Sequence, residues 1–381
     1  MSRTQKGLKI ISYKAFDYII PPVVVGFVLW AWYLCTFEIG LGYFYQLQGQ
    51  YLFGGIYAII STILLFVILL FYVDLATLPK SFDVPPELLE PPQYTPFYEC
   101  KDKHGKFLRC QKAECNGRWK PPRTHHCSMC NECRVGFDHH CPWIGRCITL
   151  SVMKEFILLL AIIPPTLVTL SCPILPLLSS QASLALEESY NSSWAHWVWW
   201  EKWYSWIAVA GPPGRWIVGT VIGYWLLDAE QCDSLGCMLQ NPHARVLLTV
   251  IFALILAIFS LGLGLATAWR IHRGETTVER ARTRLGASTY IVINDIVLSA
   301  STTAVSTASS PSVSQVFPTS VETPEIKVME LLRYERPYDL GPSENWKQFW
   351  RLSLFVRRDG AVKKDVLGPR LNPKVLERMQ L

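Results

Sequence analysis

Four apolar runs punctuate the chain, Tyr18 to Phe37, Tyr51 to Val73, Phe156 to Leu178 and Val246 to Trp269. Each is close to the roughly 20 helical residues that cross a hydrocarbon core. None contains Asp, Glu, Lys, Arg or His, which speaks against a transporter, whose path needs ionisable groups at membrane depth. Apolarity without a polar stripe predicts spanning helices, and Pro21, Pro22, Pro164, Pro165, Pro173 and Pro176 predict kinks in two of them. A fifth run, Trp216 to Leu227, is short and would break the parity of the crossings. Together with the tryptophan-rich Trp194 to Trp206 it reads as an interfacial or lumenal-cap element. The pattern predicts an all-α integral membrane protein with four transmembrane helices.

Composition agrees: 50% of the 381 residues are hydrophobic and only 17% are charged. Charge adds an orientation, because lysine and arginine collect on the cytoplasmic side. Residues 1–17 hold 4 of them, 74–155 hold 12 and 270–381 hold 17, against none in 38–50 and 3 in 179–245. The expected plan is a cytosolic N-terminus (1–17), helices 1 and 2 (18–73), a cytosolic cysteine-rich domain between helices 2 and 3 (74–155, core 110–147), helices 3 and 4 (156–269) around a lumenal loop (179–245), and a cytosolic tail (270–381). No cleavable signal peptide is expected, since four basic residues lead into a full-length span. The sequon at Asn191 falls on the expected lumenal side, as do Cys232 and Cys237, which are either paired or unpaired. In the tail, 300–324 reads as a disordered linker of serine, threonine and valine. Order resumes over Lys327 to Phe355, and Arg357 to Leu381 reads as a solvated basic tail near anionic lipid.

The chemistry concentrates in the cysteine-rich segment, which holds seven of the 12 cysteines, Cys110, Cys115, Cys127, Cys130, Cys133, Cys141 and Cys147, with His125, His126, His139 and His140. Close Cys pairs mixed with histidine point to metal in a reducing compartment rather than to disulfides. Two closed tetrahedral zinc sites of three cysteines and one histidine consume six cysteines and two histidines, which leaves one cysteine over. Spacing alone does not say which. Local chemistry ranks Cys141 first, because Asp138-His139-His140 precedes it directly and an oriented imidazole raises the thiolate fraction of a thiol. Lys120, Arg123, Arg134 and Arg146 are candidate cations for a phosphate-bearing ligand.

Lys120-Pro121-Pro122-Arg123-Thr124-His125-His126-Cys127 followed by Asp138-His139-His140-Cys141-Pro142-Trp143 resembles the DHHC family of protein S-acyltransferases, as do the four spans with a cysteine-rich domain between the second and third. Thr276-Thr277-Val278-Glu279 and Tyr338-Asp339-Leu340-Gly341 with Asn345-Trp346 are similar to two motifs of that family's tail. The resemblance implies one structural zinc ion on Cys110, Cys115, His126 and Cys133 and a second on Cys127, Cys130, His140 and Cys147. It also implies Cys141 as the acylated nucleophile, His139 as its base and Asp138 as the group orienting that base, with Thr276 and Asn345 supporting the loop. The implied activity is transfer of a long-chain acyl group from palmitoyl-CoA to cysteines of membrane-associated proteins, at the cytosolic face of an endomembrane or the plasma membrane. The expected partners are palmitoyl-CoA, those protein substrates and membrane lipid, with no nucleic acid. A non-catalytic scaffold whose zinc domain binds proteins is the alternative. The chain departs from the family pattern at Cys110-x4-Cys115, where two intervening residues are usual, and Cys100 is a substitute ligand to consider. Further departures are Asp74-Leu75-Ala76, Arg146 and Val152, whereas Phe156 keeps the usual aromatic.

Overall fold

The computed structural model describes residues 3–91, 97–208, 211–227, 235–236, 239, 243–285, 289–293, 327–332, 335–355 and 370–380. The expected linker 300–324, Cys232 and Cys237 lie outside them. Four helical stretches are long and apolar enough to cross a membrane, Phe16–Leu47, Tyr51–Ala76, Leu150–Asn191 and Ala244–His272, and the chain is a multi-pass membrane protein. It divides into two compact units, one of residues 22–73 and 158–265, the other of 1–21, 74–157 and 266–381.

The first unit is helical. It takes in the second part of α1 (Arg3–Tyr33), which continues without a break as a wide π-helical stretch (Leu34–Leu47), and most of α2 (Tyr51–Ala76). The end of α3 (Met153–Ser171), α4 (Leu175–Asn191), α5 (Pro212–Leu226) and most of α6 (Ala244–His272) complete it. Apolar side chains give packing but no direction here, so hydroxyls do much of the registering. Thr36 Oγ1 lies 3.0 Å from Ser61 Oγ and 3.2 Å from Thr62 Oγ1, and Trp30 Nε1 donates to Thr249 Oγ1 at 3.0 Å. Tyr57 OH donates at 2.8 Å to the carbonyl of Leu170 in the last turn of α3, one of the acceptors that a helix end leaves open.

Two expectations change in this unit. The first span does not stop at Phe37: its π-helical extension buries Glu38, which is 4% exposed. Tyr33 OH donates to Oε1 at 2.8 Å and the amide of Gly236 to Oε2 at 2.9 Å. Two donors on the two oxygens offset the cost of removing the carboxylate from water, and the pattern of apolar runs carries no sign of them. The fifth run becomes α5, about 22 Å long at 1.5 Å per residue, too short to span and packed on α4. Its polarity is inverted, since Gly214, Arg215, Gly219 and Gly223 are buried while Trp216, Ile217, Val221 and Trp225 are exposed. Arg215 donates to Ser205 Oγ and to the Trp200 carbonyl, and its guanidinium stands 4.3 Å over the ring of Trp206.

The second unit is not all-α. A three-stranded antiparallel sheet in the order β1-β6-β7 joins β1 (Phe97–Cys100), β6 (Thr289–Ile293) and β7 (Lys327–Leu331). Two hairpins lie between β1 and β6 in sequence, β2 (His125–Cys127) with β3 (Glu132–Arg134) and β4 (Phe137–Cys141) with β5 (Arg146–Thr149). Strands replace helices because ligand pairs two residues apart need tight reversals: Asn131, Gly136 and Gly145 all take positive φ, at 55°, 62° and 70°. The tail adds α7 (Thr277–Leu285), α8 (Pro342–Arg351) and α9 (Pro373–Gln380). The last of these corrects the solvated tail, since Leu371 and Val375 close the sheet's core with Phe97, Ile291, Ile293, Leu331 and Tyr338.

The contact of α4 with α5 yields a stability prediction. A Cβ at Gly223 would fall 1.6 Å from the carbonyl oxygen of Ala185, whereas one at Gly262 in α6 meets nothing within 4 Å. Gly223→Ala is expected to cost about 2 kcal/mol or more by overpacking, and Gly262→Ala to be neutral or slightly stabilising through helix propensity. Thermal unfolding of both variants in detergent micelles measures the difference.

Candidate active site and metal centres

In an extended strand successive side chains point to opposite faces, and the two hairpins use this to sort adjacent residues. In β2, His126 and Cys127 face opposite ways, and His126 stands directly across from Cys133 of β3. In β4, His140 stands across from Cys147 of β5, while its neighbours His139 and Cys141 face away from that pair. The ladder carries one extra residue between Phe137 and His139. This bulge is Asp138, and it frees the carboxylate from strict alternation so that it reaches the ring of the next residue.

Two clusters result, Cys110, Cys115, His126 and Cys133, and Cys127, Cys130, His140 and Cys147, each with its ligand atoms within 4.8 Å of one another. In the first, His126 Nδ1 lies 3.6, 3.4 and 3.9 Å from the sulfurs of Cys110, Cys115 and Cys133. In the second, His140 Nδ1 lies 3.7, 3.5 and 3.6 Å from those of Cys127, Cys130 and Cys147. A zinc tetrahedron with the usual bond lengths has sulfur–nitrogen edges of about 3.6 Å and sulfur–sulfur edges of about 3.8 Å. Cys115 and Cys133 are 3.8 Å apart, and Cys130 and Cys147 are 3.4 Å apart. Both clusters therefore fit a structural zinc ion with four protein ligands and no open position. The long first spacing is taken up by the turn Ala113–Cys115, and the chain reverses just after it at Asn116 and Gly117, both at positive φ. Cys100 is not in a cluster, and pairs with Tyr290 in the sheet. His125 is not a ligand: its ring stacks 5.3 Å from that of Phe137. Burial, then the charges of Arg282 and Lys120, lower its pKa to about 4.

Asp138 is 2% exposed and fully engaged. His139 Nδ1 donates to its Oδ2 at 2.8 Å, Thr277 supplies its amide to Oδ1 at 2.8 Å and its hydroxyl to Oδ2 at 2.9 Å, and Arg270 Nη2 lies 3.5 Å away. Burial works to raise the carboxyl pKa, but the bond and charge of His139, the charge of Arg270 and the Thr277 amide together hold it below the usual range. Burial likewise works to lower the pKa of His139, and its hydrogen bonds to Asp138 and Cys141 override it, raising the value to about 9. The ring is oriented at one nitrogen by a fixed carboxylate and carries a thiol partner. Phe156 packs against its edge at 5.6 Å. The arrangement can hold a proton taken from Cys141, which is itself 3% exposed.

Thr277 is held in place by a capping box. Thr276 Oγ1 accepts from the amide of Glu279 at 3.3 Å, and Glu279 Oε2 accepts from that of Thr276 at 2.8 Å, which is the reciprocal start of a helix. Thr276 is thus the cap, and its neighbour Thr277 touches the site. Sequence reasoning had the roles one residue out, although Thr-x-x-Glu is a recognisable helix-start signal. Asn345 does not reach the site. Its Nδ2 donates to the His272 carbonyl at 3.0 Å and to Asp339 Oδ1 at 2.8 Å, which fastens the end of α6.

The four candidate cations part company. Arg123 donates from Nε and Nη2 to the two oxygens of Glu279, both at 2.8 Å, and lies 4.6 Å over the ring of Tyr338. Arg134 is buried and donates to the carbonyl of Phe82. Both are engaged within the protein, Arg123 at its guanidinium by Glu279 and Arg134 by a backbone carbonyl. Arg146 lines a cavity of about 440 Å³ together with Lys80, Arg134, Asp17, Tyr18 and His140. Lys80 escaped sequence reasoning, being 30 residues upstream of the first zinc ligand. Lys120 is half-buried and does not line this cavity.

The family model described as DHHC palmitoyltransferase matches residues 108–284, which include both clusters, Asp138 to Cys141 and the capping box. The chain carries a DHHC-family domain. The chain is similar to palmitoyltransferase PFA3 of Candida glabrata, 39% identical over 84 residues, or 22% of this chain and 23% of that protein. It is also similar to palmitoyltransferase PFA3 of Saccharomyces cerevisiae, 36% identical over 84 residues with the same coverage of 22% and 23%. A shorter match joins it to probable protein S-acyltransferase 2 of Arabidopsis thaliana, 56% identical over 39 residues, 10% of each chain. The aligned stretches thus span about a quarter or less of these relatives' length.

Metal analysis tests the two clusters of the DHHC domain. The purified chain is expected to hold two zinc ions, Cys115→Ala and Cys147→Ala one each, and Cys100→Ser two. Retention of both ions by Cys115→Ala would remove that residue from the first site.

Proposed function

We propose that the chain is a protein S-palmitoyltransferase, moving a long-chain acyl group from acyl-CoA to cysteines of membrane-associated proteins. The observation that carries this reading is the line Thr277–Asp138–His139–Cys141, in which the one cysteine between Cys110 and Cys147 that neither metal cluster uses shares an imidazole with a buried carboxylate. The matched family model and the names of the relatives support the same reaction class.

In the proposed reaction His139 takes the proton of Cys141 as its sulfur attacks the carbonyl carbon of the acyl thioester. The tetrahedral adduct collapses, the carbon–sulfur bond to coenzyme A breaks, and the departing thiolate takes the proton back from His139. The acyl group is then joined to Cys141 through a new thioester. A substrate cysteine, deprotonated in turn by His139, attacks that thioester and Cys141 leaves, recovering its proton. Asp138 keeps Nδ1 protonated and offsets the charge of the imidazolium, leaving the other ring nitrogen to exchange the proton. Closed zinc sites supply structure only, holding β4 and β5 so that His139 and Cys141 share a face. Arg146 and Lys80 are proposed to meet the coenzyme A phosphates. The acyl chain would be accommodated among the spans, where each buried methylene contributes about 0.8 kcal/mol. Charge distribution supports a cytosolic site on an endomembrane or the plasma membrane. The exposed tryptophans of α5 suit a membrane interface.

The test is incubation of the purified chain with labelled palmitoyl-CoA, followed by hydroxylamine. Hydroxylamine-labile label is expected on the wild type and none on Cys141→Ser. Asp138→Asn is expected to lower the labelling rate by about 100-fold or more, the range of an oriented general base, and Thr277→Ala by less, since the amide bond to Asp138 survives. Absence of label on the wild type, with both zinc ions bound, would favour a non-catalytic scaffold.

A further inference from the structure

The N-terminal helix delivers a carboxylate to the second metal cluster. Asp17 Oδ1 lies 3.1 Å from His140 Nε2, and the two side chains are 13% and 10% exposed, so the bond is shielded from bulk water. The other ring nitrogen, Nδ1, is the one facing the three sulfurs. A neutral histidine that ligates through Nδ1 carries its proton on Nε2, where a carboxylate can accept it. A second contact fixes the backbone around this bond. Gly145, in the turn after Cys141 and at φ +70°, lies so close to α1 that a Cβ there would fall 2.7 Å from the Asp17 carbonyl oxygen and 3.2 Å from Pro21 Cγ.

We propose that Asp17 is a positioning residue for the second zinc site: it sets the tautomer and ring plane of His140 and so strengthens that ligand's hold on the metal. Such carboxylate–histidine–metal arrangements are worth about 10–100-fold in metal affinity. His140 sits between His139 and Cys141 on the same short strand, so a ring anchored at both nitrogens also holds the strand that presents them. The middle of α1 thereby becomes part of the DHHC domain's metal shell, 93 residues before its first zinc ligand in sequence. The proposal rests on the zinc reading above.

The experiment is zinc release from the full chain in detergent to a chromogenic chelator. It compares wild type and Asp17→Asn, each also in a Cys115→Ala background, which keeps the second site, and in a Cys147→Ala background, which keeps the first. Asp17→Asn is expected to speed release about 10–100-fold in the Cys115→Ala background and to leave the Cys147→Ala background unchanged. The cobalt-substituted second site should show a shifted ligand-field band. Gly145→Ala, which keeps the carboxylate but displaces the turn, is expected to loosen the same ion. Superimposable release with and without Asp17→Asn overturns the proposal, as does equal loosening of both sites, which marks a general loss of fold. A wild-type chain that binds no zinc defeats the zinc reading itself, a result distinct from either.

Discussion

The site depends on one geometric constraint, the alternation of side chains across an extended strand. Consecutive residues in β2 and β4 are sent to different tasks because their Cβ atoms leave the backbone on opposite sides. His126 serves one metal cluster and Cys127 the other. His140 turns to the second cluster while the residues on either side of it turn away, to the face of the proposed acid–base chemistry. Strands of three to five residues are marginal by themselves, and apart from the cysteines the segment between Cys110 and Cys147 buries few large side chains. Metal binding therefore supplies much of its folding energy. The proposed chemistry, in which no zinc takes part, would still depend on both ions.

The second requirement is a buried carboxylate whose negative charge is matched. A carboxylate as enclosed as Asp138 is costly unless each oxygen has donors, and here the donors come from far along the chain, Arg270 and Thr277. Their position follows from a helix start. The reciprocal bonds of Thr276 and Glu279 orient the first turn of α7, and Glu279 is in turn clamped by Arg123, which returns the link to the cysteine-rich segment. Arg123 also accounts for Glu99 and Tyr338, since its amide donates to Glu99 at 3.0 Å and Tyr338 OH to the same oxygen at 2.7 Å. A tail that looks peripheral in sequence is thus joined to β4 through a short series of charge-assisted bonds.

Legibility in the sequence followed the range of the forces involved. The spans were plain because apolar runs of that length have few other uses, and the cluster membership implied by the family resemblance fits the distances observed. What escaped were pairings whose partners are remote. Glu38 read as the start of a loop because nothing nearby announces Tyr33 OH and the Gly236 amide as its donors. Arg123 and Arg134 read as free cations because their acceptors, Glu279 and the Phe82 carbonyl, lie 156 and 52 residues away. Strands of three residues are too short for a period of two to show. The last helix was a different kind of miss: Pro373 at its first turn, with Leu371, Val375 and Leu376 spaced for one face, was a local signal hidden by the basic residues around it.

The bulge at Asp138 shows how narrow the margin is. With regular alternation Asp138 would share a face with His140 and lie opposite His139, and the carboxylate would point at metal-bound sulfur, where its charge is repelled. One extra residue resets the register, so that Phe137 and His140 lie on the metal side, His139 and Cys141 on the other, and Asp138 between them within reach of a ring. Two adjacent histidines of the same chemistry thereby acquire opposite roles, one with Nδ1 toward sulfurs and the other with Nδ1 toward a carboxylate. The order of the four residues suits the proposed function because the backbone is irregular at that place; in a regular strand the same four letters would bring the acid to the wrong histidine.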